Sequence, residues 1–476
     1  MPGRRSSRDG VALRELAEQI FTRTAGAPLI GGNSVNVLRD ARENFPAWLE
    51  AISAARHYVL FENYIIADDE TGRQFVAALT EKARAGIQVF LIHDWLGGLG
   101  MGTDRVLEPL IEAGGQVRCF NPPRFESPLG WLTRDHRKMI SVDGVAGFVS
   151  GLCVSRKWEG DPSAKCEPWR DTGIEIRGPA VTDIEAAFEQ TWVAAGGGDE
   201  LPETVEVSSA GDVSLRILAS QPSTAGIYRL DQMIAAMARK TLWLTDAYFL
   251  GFAPYVQALR AAANDGVDVR LLVPGTSDVP ILTRFSRAGY RPLLEAGIRV
   301  FEWNGSMLHA KTAVADGRWA RVGSTNLNLA SWIGNFELDV AIEDENCAGR
   351  MQQIYEEDLS NATEIVLGNR QRVRASRAVS RVPGSGGKAA RAAAGALRIG
   401  NSVGAALTNR RALGPAEAGT MLTVGFFFVA LASVALVIPL AVTLPLALFA
   451  AWIAVTLLVR GWRMHRNSDD EDRLTR

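Results

Sequence analysis

The feature that most constrains this chain is a pattern written twice. DHRKMISVDG at residues 135–144 and LHAKTAVADG at residues 308–317 each hold His-x-Lys-x-x-x-x-Asp followed by Gly, and between them use two of the five histidines. On a strand successive side chains alternate faces, so His136 and Lys138 point one way and Arg137 the other, and His309 pairs with Lys311 in the same manner. An imidazole and an anion-binding ammonium then share one pocket wall. Asp143 and Asp316 stand at an odd offset from the histidines, which on a regular strand turns them away from that wall. With the glycines that follow they read as hairpin turns, since Gly tolerates positive φ and Asp bonds its own backbone. The two aspartates are grouped with the catalytic set because the motif includes them, while strand geometry favours a turn-forming or supporting role.

The segments around the motifs repeat as well. In the first copy ARHYVLFENYII reads as a strand, ETGRQFVAALTEKARAG as an amphipathic helix, IQVFLIHDW as a second strand, and RVLEPLIEAGGQVRCF as a helix leading into a third. The second copy runs ARKTLWLTDAYFL, FAPYVQALRAAANDG, VDVRLLVPG and YRPLLEAGIRVFEW. Helices alternating with apolar strands imply α/β architecture: two similar halves, each a largely parallel mixed sheet flanked by helices, packed about one shared site. The expected organisation is an N-terminal segment 1–30, a first half 31–205, a second half 206–365, a basic linker 366–420, an apolar segment 421–459 and a charged tail 460–476. At 47% hydrophobic and 22% charged residues, 476 residues are ample for such cores, and a disordered or fibrous chain is excluded.

The charge divides unevenly. From residue 366 onward there are fifteen Lys or Arg against five Asp or Glu, a net of +10, so the chain's overall −2 leaves about −12 on residues 1–365. Met421 to Val459 then contains no charged residue across 39 positions. As one helix it would be about 58 Å long, nearly twice the ~30 Å hydrocarbon core of a bilayer. Pro439 and Pro445 sit at its centre, with Arg410 and Arg411 before it and Arg460, Arg463 and Arg466 after it. The reading is a helical hairpin with both ends in the cytoplasm, a re-entrant loop being the alternative. The arginines then meet an anionic membrane surface. The N-terminus lacks an apolar stretch after its charges, which argues against a secretory signal, and four cysteines with no C-x-x-C pair suit a reducing environment. The expected location is the inner membrane of the cell, with the body on its cytoplasmic face.

Two His/Lys pairs at the ends of matching units make most sense if both build one site. Two imidazoles divide the labour on a phosphodiester, one attacking phosphorus and the other protonating the departing alcohol. Two lysines hold the non-bridging oxygens as charge shifts onto them. This chemistry asks for no metal and no cofactor, and the sequence offers no cluster of metal ligands.

Both motifs, with GSTN at 323–326 and NFE at 335–337, resemble the phospholipase D superfamily. The body from residue 31 to about 345 is similar to bacterial cardiolipin synthases, through GNSVNVLRDARENFPAWLEAI, WRDTGIEIRGPAV and RAGYRPLLEAGIRVFEW. The resemblance implies that Ser324 and Asn326 donate to the phosphate and that Glu337 orients a catalytic imidazole. In the first half the pattern departs, because SGLC places Ser150, Gly151 and Cys153 where Gly-Gly-x-Asn is usual, and a thiol is a weaker donor than an amide. Asp171 in WRDT stands as the counterpart of Glu337, or as a strand-end capping acid. The superfamily assigns the covalent phosphohistidine most often to the first motif, which makes His136 the nucleophile and His309 the general acid; the sequence itself leaves that symmetry unbroken.

The resemblance implies a phosphatidyltransferase that takes a phosphatidyl group from phosphatidylglycerol or phosphatidylethanolamine and passes it to a hydroxyl of phosphatidylglycerol. PPRFESPLGWL at 122–132 reads as a lipid-facing mouth or as a surface loop. The alternatives are a phospholipase D-type hydrolase and a non-enzymatic membrane-anchored lipid-binding protein. A nucleic-acid partner is not expected, since the body is acidic where such binding wants a basic surface.

Overall fold

The computed structural model describes residues 18–123, 132–163, 166–203, 207–367 and 373–374, with isolated positions between 426 and 458. The first half contributes strands β1 (Ile30–Arg39), β2 (Tyr58–Asn63), β3 (Gln88–Asp94), β4 (Gln116–Phe120), β5 (Lys138–Val142), β6 (Ala146–Ser150) and β7 (Thr172–Arg177). The second contributes β8 (Val213–Ser220), β9 (Thr241–Thr245), β10 (Asp268–Pro274), β11 (Arg299–Trp303), β12 (Thr312–Ala315), β13 (Trp319–Gly323), β14 (Glu337–Glu343), β15 (Ala362–Leu367) and β16 (Val373–Arg374). Among the described residues these form one sheet in the order β16-β15-β11-β10-β9-β12-β13-β14-β8-β1-β7-β6-β5-β2-β3-β4. Read outward from the β1–β8 seam, the two halves have the same strand order.

The sheet is mixed, and less parallel than the sequence reading had it. Only β2–β3 and β3–β4 in the first half, and β9–β10 and β10–β11 in the second, are parallel. The rest of each half is antiparallel, because the motif strand returns at once through its Asp-Gly turn instead of crossing over by a helix. Asp143 and Gly144 have φ of 53° and 66°, as do Asp316 and Gly317, the positive values that the turn chemistry anticipated.

Helices form where local signals agree. Glu70–Arg84 starts where the Asp69 carboxylate accepts from Gly72 N at 3.0 Å, carries Lys82 and Arg84 in its last turn, and buries Phe75, Val76 and Leu79. It packs with the helices Asp40–Ala54 and Thr103–Glu112 over one side of the first half, around Phe45, Trp48 and Leu107. Helices Gly226–Met237 and Ala253–Asn264 cover the second half, around Leu230, Tyr255 and Leu259. A third core, with Ile184, Phe188 and Trp192 of helix Val181–Ala194 against Ile217, Val322 and Val340, runs across both halves. Strands such as β2 and β6, buried at every position, need apolar partners on both faces, and these cores supply them.

Residues 124–131, which include most of the expected mouth, lie outside the described residues, as does nearly all of the basic linker 366–420 and all of the tail 460–476. Most of the apolar segment 421–459 is also outside them; of its described residues, Phe426, Val429, Leu444, Leu448 and Leu458 are helical and exposed. Among the described residues no helix is long and apolar enough to cross a membrane.

Candidate active site

The site forms where the two halves exchange backbone bonds. His136 N donates to Phe336 O at 2.9 Å and Phe336 N to Arg134 O at 2.8 Å, so the residue before Glu337 is tied to those around His136. The same bridge recurs with the halves swapped: His309 N donates to Arg170 O at 2.7 Å and Arg170 N to Met307 O at 2.9 Å. Each bridge lays a histidine beside the acid of the opposite half. His136 Nδ1 is 2.9 Å from Glu337 Oε2, and His309 Nδ1 is 2.8 Å from Asp171 Oδ2. An Nδ1–H given to the acid fixes the ring's orientation and leaves Nε2 to do chemistry.

Both acids are fully buried and supported. Glu337 accepts from Ser324 Oγ at 2.6 Å and from Asn335 Nδ2 at 3.1 Å. Asp171 accepts from the Trp158 indole at 2.9 Å and from Thr172 N at 2.9 Å. Burial works against the ionised form of each, but the facing histidine, the nearby lysine and these donors outweigh it and hold both carboxyls below the ordinary range. Gly151 is required here, since a Cβ at that position would collide with the Asp171 carboxylate.

The lysines close the cluster. The Lys138 ammonium donates to His136 O and lies 5.2 Å from the centre of the Tyr64 ring. The Lys311 ammonium donates to His309 O, lies 2.9 and 3.1 Å from the two ring nitrogens of His309, and faces the Tyr248 ring at 5.9 Å. Lys138 bears on His309 and Lys311 on His136, so the four groups share one electrostatic field. Burial, then Lys311, push His309 down to about 3 in spite of Asp171; burial also lowers His136, with Glu337 pulling the other way. Burial pushes Lys311 down to about 8, with Asp171 pulling the other way. Burial thus favours the neutral form of both imidazoles.

Of the other residues singled out in the sequence, Ser324 bonds Glu337 and also accepts from Leu338 N at 2.9 Å. Asn326 is buried, and its side-chain amide makes no hydrogen bond among the described residues. Ser150 Oγ accepts from Leu152 N at 3.2 Å, shaping the turn after β6. Cys153 is buried, and its thiol is pushed up by burial although Lys138 and Lys311 act to lower it. Asp143 and Asp316 stand elsewhere, at the far ends of the motif strands. Asp143 accepts from the backbone N–H groups of Arg56, His57 and Tyr58, each at 2.8 Å; Asp316 accepts from those of Arg239, Lys240 and Thr241 at 2.7 to 3.0 Å. They join the turn to the start of the neighbouring strand and do not face the imidazoles.

Three kinds of residue went unread in the sequence. Tyr64 and Tyr248 follow β2 and β9, and their rings meet His136 and His309 edge-on at 5.1 and 5.9 Å; a tyrosine shortly after each of these strands was the available signal. Trp158 and Trp169 flank His309 at 5.1 and 5.6 Å, with nothing in the repeat to announce them. Arg137, fully buried, donates to Ala187 O, to Thr191 Oγ1 at 3.0 Å, to Ser220 O at 3.1 Å and to Glu337 O at 3.2 Å. It bolts the first motif to the second half from behind.

The crystal structure of phosphatidylserine synthase from Haemophilus influenzae Rd KW20 shares this fold with a TM-score of 0.57, at 13% identity over 73% of this chain and 91% of that one. Such a fold, with one His-x-Lys pair from each half, is phospholipase D-like. Residues 231–359 match the family described as "Cardiolipin synthase, PLD-like domain". Cardiolipin synthase of Alkalihalophilus pseudofirmus is 32% identical over 349 residues, 71% of this chain and 68% of that one. Cardiolipin synthase A of Pseudomonas fluorescens is 33% identical over 350 residues, 71% of each chain. The chain belongs to the cardiolipin synthase family.

Proposed function

We propose that the two histidines carry phosphatidyl transfer by a two-step exchange, one as nucleophile and the other as acid and then base. The protein is a phospholipase D-type phosphatidyltransferase, the reading its cardiolipin synthase relatives support. His136 Nε2 attacks the phosphorus of phosphatidylglycerol or phosphatidylethanolamine while its Nδ1–H stays on Glu337, whose carboxylate offsets the charge gained by the ring. The bond from phosphorus to the headgroup oxygen breaks, and His309 gives that oxygen its proton. The phosphodiester anion, between Lys138 and Lys311, supplies the negative charge that lets His309 hold a proton it would otherwise lose. In the second step His309 takes the proton from a phosphatidylglycerol hydroxyl, the freed oxygen attacks phosphorus, and the bond to His136 breaks. Ser324 steadies Glu337, and Asn326 donates to the phosphate.

The observation that carries this reading is the reciprocal pairing of each imidazole with the acid of the other half. Lipid chromatography of the purified protein given labelled phosphatidylglycerol, with and without a second phospholipid, tests it. Label in cardiolipin with release of glycerol is expected; label only in phosphatidic acid would make the protein a hydrolase.

The apolar segment belongs to the same proposal. A helical hairpin over Met421–Val459, with arginines on both sides, holds the acidic body at the cytoplasmic face of the inner membrane. Its length, central prolines and flanking charge support this. Removing residues 410–476 should move the protein towards the soluble fraction. A C-terminal reporter active only outside the cytoplasm, if found active, would end the hairpin reading.

A further inference from the structure

The residues that hold phosphate are basic or neutral, yet one partly exposed carboxylate stands beside Tyr248. Asp278 lies on the connection between β10 and the helix Pro280–Leu294, partly exposed. Its Oδ1 accepts from the Tyr248 hydroxyl at 2.9 Å and from Ser277 Oγ at 3.4 Å, and Ser277 Oγ also accepts from Val279 N at 3.1 Å. The helix behind this turn is tied to the end of the Tyr248 segment, where Ser286 Oγ donates to Phe249 O at 2.7 Å. Among the described residues Asp278 Oδ2 receives no hydrogen bond, and neither does the Tyr64 hydroxyl make one. The Tyr248 ring in turn meets that of His309 at 5.9 Å, so the Tyr248 side chain links Asp278 to the catalytic histidine.

A fixed carboxylate next to a pocket built for anions repels substrate phosphates, unless it faces a part of the substrate that is uncharged and donates hydrogen bonds. The neutral, donor-rich part of the chemistry proposed above is the alcohol. We infer that Asp278, held by Tyr248, forms an acceptor subsite that selects a vicinal diol such as a glycerol headgroup over a simple alcohol. One hydroxyl of the diol reaches His309 while its neighbour donates to Asp278 Oδ2. The same contact receives the glycerol that departs in the first step. This assignment rests on the transferase reading.

The test is a competition within a single reaction. The full-length protein receives phosphatidylglycerol as donor, with deuterated glycerol and 1-propanol at equal concentration, and mass spectrometry reads deuterated phosphatidylglycerol against phosphatidylpropanol. The product ratio does not depend on total activity. Wild type should favour glycerol, Asp278→Ala should lower that ratio about tenfold or more, and Asp278→Asn and Tyr248→Phe should lower it in the same direction by less. A ratio within twofold of wild type in all three variants overturns the subsite, as does a wild type that shows no preference for glycerol. If wild type yields only phosphatidic acid, the transferase reading falls first and takes the subsite with it.

Discussion

Set side by side, the halves agree in strand order and differ in what supports the chemistry. Each supplies a histidine, a lysine, a tyrosine over the lysine, and an acid for the other half's histidine. Around the acids the agreement stops: Glu337 rests on a serine and an asparagine side chain, Asp171 on an indole and a backbone amide. After the motif hairpin the second half offers the amide of Asn326 where the first offers the thiol of Cys153. Behind the motifs, the first half has buried Arg137 where the second has Ala310. The histidines and lysines are thus duplicated, while the residue after each motif hairpin is not.

The largest test of this comparison removes the histidines. His136→Ala and His309→Ala should each lower turnover by about 10⁴-fold or more. They should then part company, with a phosphatidyl-enzyme seen by intact-protein mass spectrometry in the His309 variant and not in the His136 variant. The reverse pattern exchanges the roles of the halves.

Next come the acids. Glu337→Gln and Asp171→Asn should each cost about 10²-fold or more, because an amide no longer offsets the charge on the ring it faces. Steady-state rates at saturating lipid would show it, and a loss confined to one variant would mean that only one of the crossed pairs matters.

A pH profile sharpens the contrast further. Lys311 is pushed down to about 8 in the empty site, so loss of its charge should steepen the fall of kcat/KM above that pH by about a further tenfold per unit. Its charge is present below that point and lost above it. Lys311→Arg should remove that steepening, at some cost in rate, since a guanidinium stays charged.

Smaller effects are expected from trading the phosphate donors. Asn326→Cys should raise KM about tenfold by replacing a good donor with a poor one, while Cys153→Asn should lower it only a few-fold. The smallest effect belongs to the motif aspartates. Asp143→Ala and Asp316→Ala should leave kcat near wild type and cost about 1–2 kcal/mol in urea unfolding, since three amides near the surface lose a charged acceptor and regain water. A loss of kcat with stability intact would return these residues to the chemistry.

What the sequence made legible was local or repeated. The Asp-Gly turns, the amphipathic helix in ETGRQFVAALTEKARAG and the alternation of strands with helices follow from spacing and residue type, and the duplicated motif pointed to a shared site. The sense of the strands was not legible, because a buried apolar strand reads the same whether its neighbour runs with it or against it. Nor was the crossing of acids and histidines, since 201 residues separate His136 from Glu337 and no period links them. Arg137 was legible only as pointing away from Lys138; what it grips depends on a helix and two strands that come later in the chain. Asp278 carries no pattern at all, and it is found only through the tyrosine it holds.

The crossed pairing also bears on how the molecule comes into being. His136 leaves the ribosome about 10–40 s before Glu337 at ordinary elongation rates. Until then the ring has no acid to fix it, the β1 edge awaits β8, and the long-range contacts that finish the site are of the slow kind. A nascent first half therefore holds its histidine and lysine without the acid that faces them, and the crossed pairs are complete only when synthesis of the second half nearly is.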